Sequence, residues 1–588
     1  MKLYSKYLAF GFAILFAFAV NTFAQSSPAQ PDETATAPTT GTISGQVLSE
    51  SGKPVANATI YLRGSRPLFQ PRITATDSGG NFQVANLDPL LYGITATSPS
   101  YVTPPPEPDS PPTYYRIGDK VTLNLVKGGV ITGSVLSPLG EPVVQVLVRA
   151  GMVRDANGQR PRNLAYQAQK TPDDRGIYRL YGLIPGTYVV FAGGRAGFAG
   201  SGYDTDSPTY APSSTRDTAA DIVVRAGEEV IADIRYRGDP GRTLSGSVVG
   251  LSEQDTRQTN VTLVQIANDA PMTAAYSFQP PGSKGFSFYG VADGDYDLMA
   301  QTTYGPGEVN VSEPRRVTVK GADVTGIELL VRPLASISGQ LILESSTAVE
   351  CKNKRRPLLT ETLVSARRVE KDRAKDQPQT MGFMYAQGSP EKGGEFSLRN
   401  LSAGQYNMDT RYYAKYWYLR SVTREGPVVP AATTRTTPAR RQTDVARTGL
   451  ALKTGDRVSG ITVTLSEGAA SLRGTVKTAE GQSIPPNLYV HLLPAEKEST
   501  DDLLRYFADD VKADGTFALN NVAPGRYTIL TRVAAAGEPP LTTKVRASEE
   551  NELRNRLKLA AGSGAAIELK PCQNVIDHQL SFPPVIVK

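Results

Sequence analysis

Residues 173–190 read DDRGIYRLYGLIPGTYVV, and the rest of the chain repeats this phrase. Aligned on its first aromatic, it recurs as GGNFQVANLDPLLYGI, KGFSFYGVADGDYDLM, GGEFSLRNLSAGQYNM and DGTFALNNVAPGRYTI. Phe82, Tyr178, Phe286, Phe396 and Phe517 are followed five residues on by Leu87, Leu183, Val291, Leu401 and Val522. Ten residues on stand Tyr92, Tyr188, Tyr296, Tyr406 and Tyr527. Spacing this fixed is the mark of an internal repeat.

Alternation such as Tyr178, Leu180 and then Tyr188, Val190 has period two, which points one face of each strand inward. Pro185 fixes one φ and Gly186 is expected to supply a positive one, so the phrase reads as strand, turn, strand. Gly80, Gly176, Gly394 and Gly515 lie two residues before the aromatic, and Gly294, Gly404 and Gly525 match Gly186. Such positions suit tight turns. Leu90 in the first phrase and Lys284 in the third depart from the pattern.

A second signal recurs upstream. TISGQVLSESGKPVANATIYLRG alternates on both sides of a Ser51-Gly52 turn, and its Gly-x-Val returns as Gly-x-Val or Gly-x-Leu at Gly133, Gly246, Gly339 and Gly474, after Gly45. Both ends of the unit therefore repeat, five times. The segments VTLNLVKGGVITGSV, ADIRYRGDPGRTLSGSV, GIELLVRPLASISGQL and GITVTLSEGAASLRGTV each read as a closing strand, a brief turn and the next opening strand. Connections this short predict a semi-rigid string. Successive tyrosines are 96 residues apart between 92 and 188 and 121 apart between 406 and 527, so insertions decorate a constant core.

At the start, Lys2 and Lys6 precede an apolar run from Leu8 to Val20, and Thr22-Phe23-Ala24 offers small residues for cleavage. This predicts a signal peptide, residues 1–24, cut after Ala24, and a secreted or periplasmic protein without membrane insertion afterwards. Gln25 in place of a cysteine gives no lipid anchor. Residues 25–40 are polar and proline-bearing, a disordered linker. The 588 residues hold 54 Gly, 43 Pro and 27 Tyr, suited to many short strands. Without the signal lysines, 61 basic residues face 57 acidic ones, about +4, which gives no reason to expect a nucleic-acid partner. Cys351 and Cys572 could be one long-range bridge or two isolated thiols, and isolated thiols are the expectation.

Among the insertions, PPPEPDSPP reads as a stiff surface loop. GGRAGFAGSGYDTDSPTYAPSS contains Asp204 and Asp206 but lacks the glycine and closing glutamate of a calcium loop, so no metal is expected. RTTPARRQTDVAR, residues 435–447, is basic and reads as solvated, with an acidic partner as the alternative. RYYAKYWYLR places Tyr412, Tyr413, Tyr416, Trp417 and Tyr418 within seven positions, too many for one face of a strand. Exposed rings stack on sugars or fill interfaces, so these five, with Tyr203 and Tyr210, are the candidate ligand-binding residues. The competing reading puts alternate members in the core and the others over a domain junction.

No enzyme is written in the chain. His491 and His578 belong to no zinc motif, and no Gly-x-Ser-x-Gly elbow or phosphate-binding loop occurs. Asp501, Asp502, Asp509 and Asp510 read as solvated faces. Ser548-Glu549-Glu550 with Leu553 and Leu557 reads as a capped helix ending near Gly562, and Cys572 as the edge of a strand.

Gly-x-Val, then Pro54-Val55-Ala56-Asn57-Ala58-Thr59-Ile60, then Gly-x-Phe and Leu-x-Pro-Gly-x-Tyr resemble the carboxypeptidase regulatory-like domain, which is similar to transthyretin-like and Cna B-type modules. The resemblance implies a seven-stranded antiparallel β-sandwich, of prealbumin-like or carbohydrate-binding-like kind, in each repeat. It also implies no metallocarboxypeptidase catalytic domain. The multi-repeat arrangement resembles exported acidobacterial proteins. The glutamate of the Cna B isopeptide phrase is missing before Tyr188 and Tyr527, so such crosslinks are not expected.

The expected protein is all-β, a tandem array of five antiparallel β-sandwiches. Their bounds are 41–127, 128–240, 241–333, 334–467 and 468–588, called repeats 1 to 5 below. It is expected to be a non-catalytic, cofactor-free scaffold or adhesion protein of the cell envelope that binds protein through its loops. The alternative is a binder of cell-surface polysaccharide through the aromatics of repeat 4.

Overall fold

The computed structural model describes residues 40–65, 70–104, 113–160, 168–194, 203–251, 257–267, 271–302, 309–369, 385–428, 440–478, 482–499, 502–534 and 564–582. The signal peptide, the linker up to residue 39, the proline-rich residues 105–112, residues 435–439 of the basic loop and the helix expected over 548–562 lie outside these. Among the described residues the chain divides into two compact units, 40–333 and 334–582.

The alternating patterns become strands, and each repeat places them in the same way. In repeat 1 the opening strand Gly41–Ser49 lies between the first phrase strand, Asn81–Leu87, and the closing strand, Lys120–Lys127. The second phrase strand, Tyr92–Thr97, belongs to the other sheet, beside Thr59–Gly64. The turn inside the phrase thus carries the chain from one sheet to the other. Ile43, Val47, Ile60, Leu62, Phe82 and Tyr92 fill the space between. Comparable clusters occupy the four later repeats. In repeat 3 a short strand, Asn310–Ser312, bonds to strands of both sheets and joins them along one edge.

The tyrosine ending each phrase does more than fill the core. Its hydroxyl donates to the carbonyl four residues earlier: Tyr92 to Asp88 at 2.9 Å, Tyr188 to Ile184 at 2.6 Å, Tyr296 to Ala292 at 2.9 Å, Tyr406 to Ser402 at 2.8 Å and Tyr527 to Ala523 at 2.7 Å. The bond ties the backbone of each sheet-crossing turn to a side chain in the core. Burial pushes the hydroxyls up, to about 12 at Tyr92 and Tyr527, so they remain donors. Gly186 is not in the expected positive-φ conformation, although Gly294, Gly404 and Gly525 are, at 147–150°. A Cβ at Gly186 would lie 2.6 Å from the Arg154 carbonyl oxygen, so close approach is what requires glycine there.

Pairing is antiparallel except in one place. In all five repeats the closing strand runs parallel to the opening strand, because the chain returns from the opposite sheet before entering beside it. The recurrent opening-strand glycine belongs to this contact. A Cβ on Gly339 would stand 2.1 Å from the Ile461 carbonyl oxygen and 2.8 Å from Cζ of Phe396. Gly460, just before Ile461, is in the left-handed region at φ 74°, and the pairing with the opening strand shifts register beside Gly339.

Of the four aspartates read as solvated, Asp510 is exposed, Asp501 lies outside the described residues, and Asp502 and Asp509 are engaged by the fold. Asp502 accepts the Leu504 amide at 3.0 Å and caps a short 3-10 turn, Leu503–Arg505. Asp509 lies on a strand, Phe507–Asp510, and accepts the Ala518 amide of the facing sheet at 2.7 Å. Burial, with Asp510 beside it, pushes its carboxyl up to about 6.

Two outcomes follow. Gly339→Ala should destabilise repeat 4 by about 3 kcal/mol, read as a lower urea midpoint by fluorescence of Trp417, the chain's single tryptophan. The folded state holds the Asp509 proton more tightly than the unfolded chain, whose carboxyl titrates near 3.8. Its contribution is therefore complete below that value and lost as pH rises through about 6. At about 1.4 kcal/mol per unit the loss is at most about 3 kcal/mol. Hydrogen exchange in Thr516–Val522 should accelerate over that range, and Asp509→Asn should flatten the dependence.

Candidate functional site

The structurally specialised positions lie where repeats meet. Four residues after its aromatic, each phrase carries a residue in the left-handed region: Asn86 at φ 55°, Gly182 at 71°, Gly290 at 67°, Asn400 at 62° and Asn521 at 56°. Asparagine and glycine adopt this conformation at least cost. The strand pairing shifts register there, a β-bulge in every repeat. Three of these bulges meet the repeat before or its connection. A Cβ on Gly128, at the link from repeat 1, would lie 2.9 Å from Cα of Gly182. One on Gly290 would lie 2.5 Å from the Asp206 carbonyl oxygen of repeat 2. Asn521 instead reaches out, its Nδ2 donating to the carbonyls of Ala414 and Trp417 in repeat 4, both at 2.8 Å. The signal was present in the sequence as Asn or Gly at one fixed place in all five phrases; period-two reading passes over it.

At the joint of repeats 4 and 5, the Tyr416 carbonyl accepts the amides of Gly468 and Ala469, at 2.8 and 2.9 Å. The Cys572 amide donates to Gly468 at 2.9 Å. Cys351 and Cys572 form a disulfide, S–S 2.03 Å, which corrects the expectation of isolated thiols. They are 221 residues apart in sequence, and only the joint brings them together. Cys572 occupies the turn between Ala565–Leu569 and Asn574–Ser581, not a strand edge. Cys351 ends a 3-10 turn, Val349–Cys351, in a strap that runs on to Arg356. On that strap Lys354 Nζ sits 4.6 Å from the Tyr416 ring centroid. Arg355 pairs with buried Glu361 at 3.0 Å, and Arg356 lies 6.0 Å from the Trp417 ring and donates to Ser345 Oγ at 2.9 Å. Leu504 of repeat 5 packs against the core of repeat 4.

The candidate aromatics are therefore not a solvent-facing platform. Trp417 is fully buried, and Tyr412 and Tyr416 pack on the core beside it. Burial pushes the Tyr412 and Tyr418 hydroxyls up. Tyr413 is half-buried. The cause is strand alternation, which turns Trp417 and Leu419 inward while the strap and repeat 5 approach the others.

Tyr210 lies at the joint of repeats 2 and 3, and Tyr203 packs on the core of repeat 2. Tyr203 meets Tyr236 edge-on, ring centroids 5.4 Å apart. Tyr210, buried, stacks on Phe191 at 4.9 Å and donates to Gln265 Oε1 of repeat 3 at 3.2 Å. Arg149, fully buried, lies 4.5 Å over Phe191 and donates to the carbonyls of Gly193, Gly194 and, in repeat 3, Ala274 at 3.0 Å. Met272 inserts among Val153, Val189 and Phe191. Asp206 accepts the Tyr236 hydroxyl at 3.1 Å. Among the described residues no group of three or more His, Cys, Asp or Glu could hold a metal. His491 is buried on Leu488–Pro494, and His578 lies in the opposite sheet of repeat 5, its pKa lowered by burial.

Residues 42–107 match the model of the carboxypeptidase regulatory-like domain. No curated protein sequence matches the chain. Among solved structures, the chain is similar to the TIE protein of Bacillus anthracis at 9% identity and TM-score 0.14, over 84% of this chain and 70% of that one. It is also similar to two B repeat units of the collagen binding protein of Staphylococcus aureus, at 10% identity and TM-score 0.12, over 73% and 100%. A minor pilin of Streptococcus agalactiae gives 12% identity and TM-score 0.19, over 34% and 96%. Similarity at this level says nothing of function.

Asn521→Gly keeps the left-handed backbone and removes the side-chain bonds, so it should loosen the joint by about 1 to 2 kcal/mol. Asn521→Ala adds the cost of that backbone, about 1 kcal/mol more. Replacing both cysteines with serine should cost about 4 kcal/mol. Amide exchange at residues 468–469, whose donors cross this joint, reads all three variants in that order.

Proposed function

We propose that the chain is a non-catalytic, exported scaffold or adhesion protein of the cell envelope, built from β-sandwich repeats that bind partners through their loops. The observation that carries this reading is the construction of the joints. Buried polar groups, a bulge residue and a covalent bond are used to fix one repeat on the next, where a hinged or catalytic protein would keep freedom or a cleft. Each proposed repeat also has its own hydrophobic cluster, as independent sandwiches require.

The disulfide supports export. Structural disulfides persist in oxidising compartments and are rare in cytosol, in agreement with the charged and apolar stretch at residues 1–24. Among the described residues no helix is long and apolar enough to cross a membrane. A neutral-sugar platform on repeat 4 is not favoured, since Trp417 offers no face.

Cell fractionation with thiol alkylation tests the proposal. The mature chain should begin at Gln25, appear in the envelope or medium, and take up no alkylating reagent until reduced. A cytoplasmic chain with two reactive thiols, or turnover of ester, peptide or glycoside substrates by the purified protein, would sink it.

A further inference from the structure

Charge is unevenly distributed along the chain. Residues 334–467 hold 21 Lys and Arg against 13 Asp and Glu, a net of +8, whereas the chain from residue 25 onward nets +4, so everything outside repeat 4 nets −4. The densest run is Cys351-Lys352-Asn353-Lys354-Arg355-Arg356, four cations in five positions after the cysteine.

This run is built into the joint. The disulfide fixes one end, and the Arg355–Glu361 pair anchors its middle. Lys354 and Arg356 rest on the Tyr416 and Trp417 rings, and Arg356 is further tied to Ser345. Lys352 and Arg356 remain exposed, and among the described residues Lys352, Lys354 and Arg356 have no carboxylate at ion-pair distance. Exposed Lys415 precedes Tyr416, and exposed Lys570 stands two residues before Cys572. Of the nearby acids, Glu344 is engaged by Arg420 and Ser466, Glu467 accepts the Ser346 amide, and Glu350 is exposed. Lys354 and Arg356, held against rings with no carboxylate beside them, have already lost much of the side-chain entropy that binding costs.

We infer that this strap is a docking surface for an anionic polysaccharide. A neutral sugar would need ring faces, and these are buried or covered by Lys354 and Arg356. Cations spread along a surface gain most from a ligand that presents many anions together, because each contact adds its electrostatic contribution and releases counterions. Outside the cytoplasm, where the scaffold reading on which this inference rests places the chain, acidic polysaccharide is a polyanion of that kind. The strap depends on its disulfide, so reduction should weaken binding as well as the joint.

The experiment uses oxidised residues 25–588 with polygalacturonate as probe, neutral dextran as control and single-stranded oligothymidylate as the competing class. Polygalacturonate should be retained and dextran not. Raising salt from about 50 to about 200 mM should weaken retention about tenfold or more. Lys352→Gln/Lys354→Gln/Arg356→Gln should lose about tenfold or more, with Trp417 fluorescence and the absence of reactive thiols showing that the fold and bridge persist. Lys53→Gln/Lys120→Gln/Lys127→Gln, the same change of charge at exposed positions of repeat 1, should leave binding unaltered. Equal loss in both variants, equal retention by dextran, or tighter binding of oligothymidylate would overturn the assignment. An exported chain that fails to bind polygalacturonate removes this inference and leaves the scaffold reading in place.

Discussion

One hydrogen bond in each repeat, from the buried phrase tyrosine to the carbonyl four residues before it, holds the point at which the chain leaves one sheet for the other. The remaining geometry depends on it. A sandwich built by alternate visits to two sheets must turn its backbone at the edge of the core, where the carbonyl needs a donor and the turn needs an anchor. The tyrosine supplies apolar area and a donor in one side chain. With the crossing fixed, the two strands of the phrase face each other across the core, and the opening and closing strands come together over a glycine. There backbone oxygen occupies the space a side chain would need.

The joints reuse this architecture. The bulge in the first phrase strand turns a residue out of the sheet, and at repeats 2, 3 and 5 that residue meets the preceding repeat or its connection. Small residues allow backbone contact, while Asn521 spans a wider gap with its amide. The joints then differ in what reinforces them. Repeats 2 and 3 share Arg149, Phe191, Tyr210 and Met272, with a guanidinium that is buried yet hydrogen-bonded. Repeats 4 and 5 share a covalent bond and a basic strap. A string of modules with such different joints places specific surfaces where the reinforcement lies, and the strap is the most highly charged of them.

The fold was legible because it is written five times. Aromatic, aliphatic and tyrosine at fixed spacing, with alternation between, are local constraints that each repeat satisfies with its own neighbours in sequence. The phrase aromatics Phe82 and Tyr92 are buried as their period required. The bulge residues were legible in the same way, as Asn or Gly at one position, since a left-handed backbone restricts residue type locally. Where the sequence left alternatives open or misled, the deciding partner lay in another element. For Tyr412, Tyr416, Trp417 and Tyr418 an exposed cluster and a core-and-junction arrangement both stood open, because nothing near them in sequence covers them, and their burial favours the second. The strap comes from some sixty residues earlier and Asn521 from over a hundred later. Asp509 read as solvated because Ala518 lies in another sheet.

The sequence alone thus determined an all-β chain of repeated units, the inward face of the phrase strands, and a composition with no recognisable catalytic set. Those properties depend on period, residue type and short-range turn chemistry. Only the tertiary structure decided that the phrase crosses between sheets, that opening and closing strands run parallel, and that Cys351 and Cys572 are bonded. It alone placed Lys354 and Arg356 over the Tyr416 and Trp417 rings. Each of these depends on groups brought together by packing across tens to hundreds of residues, a juxtaposition that local periodicity does not encode.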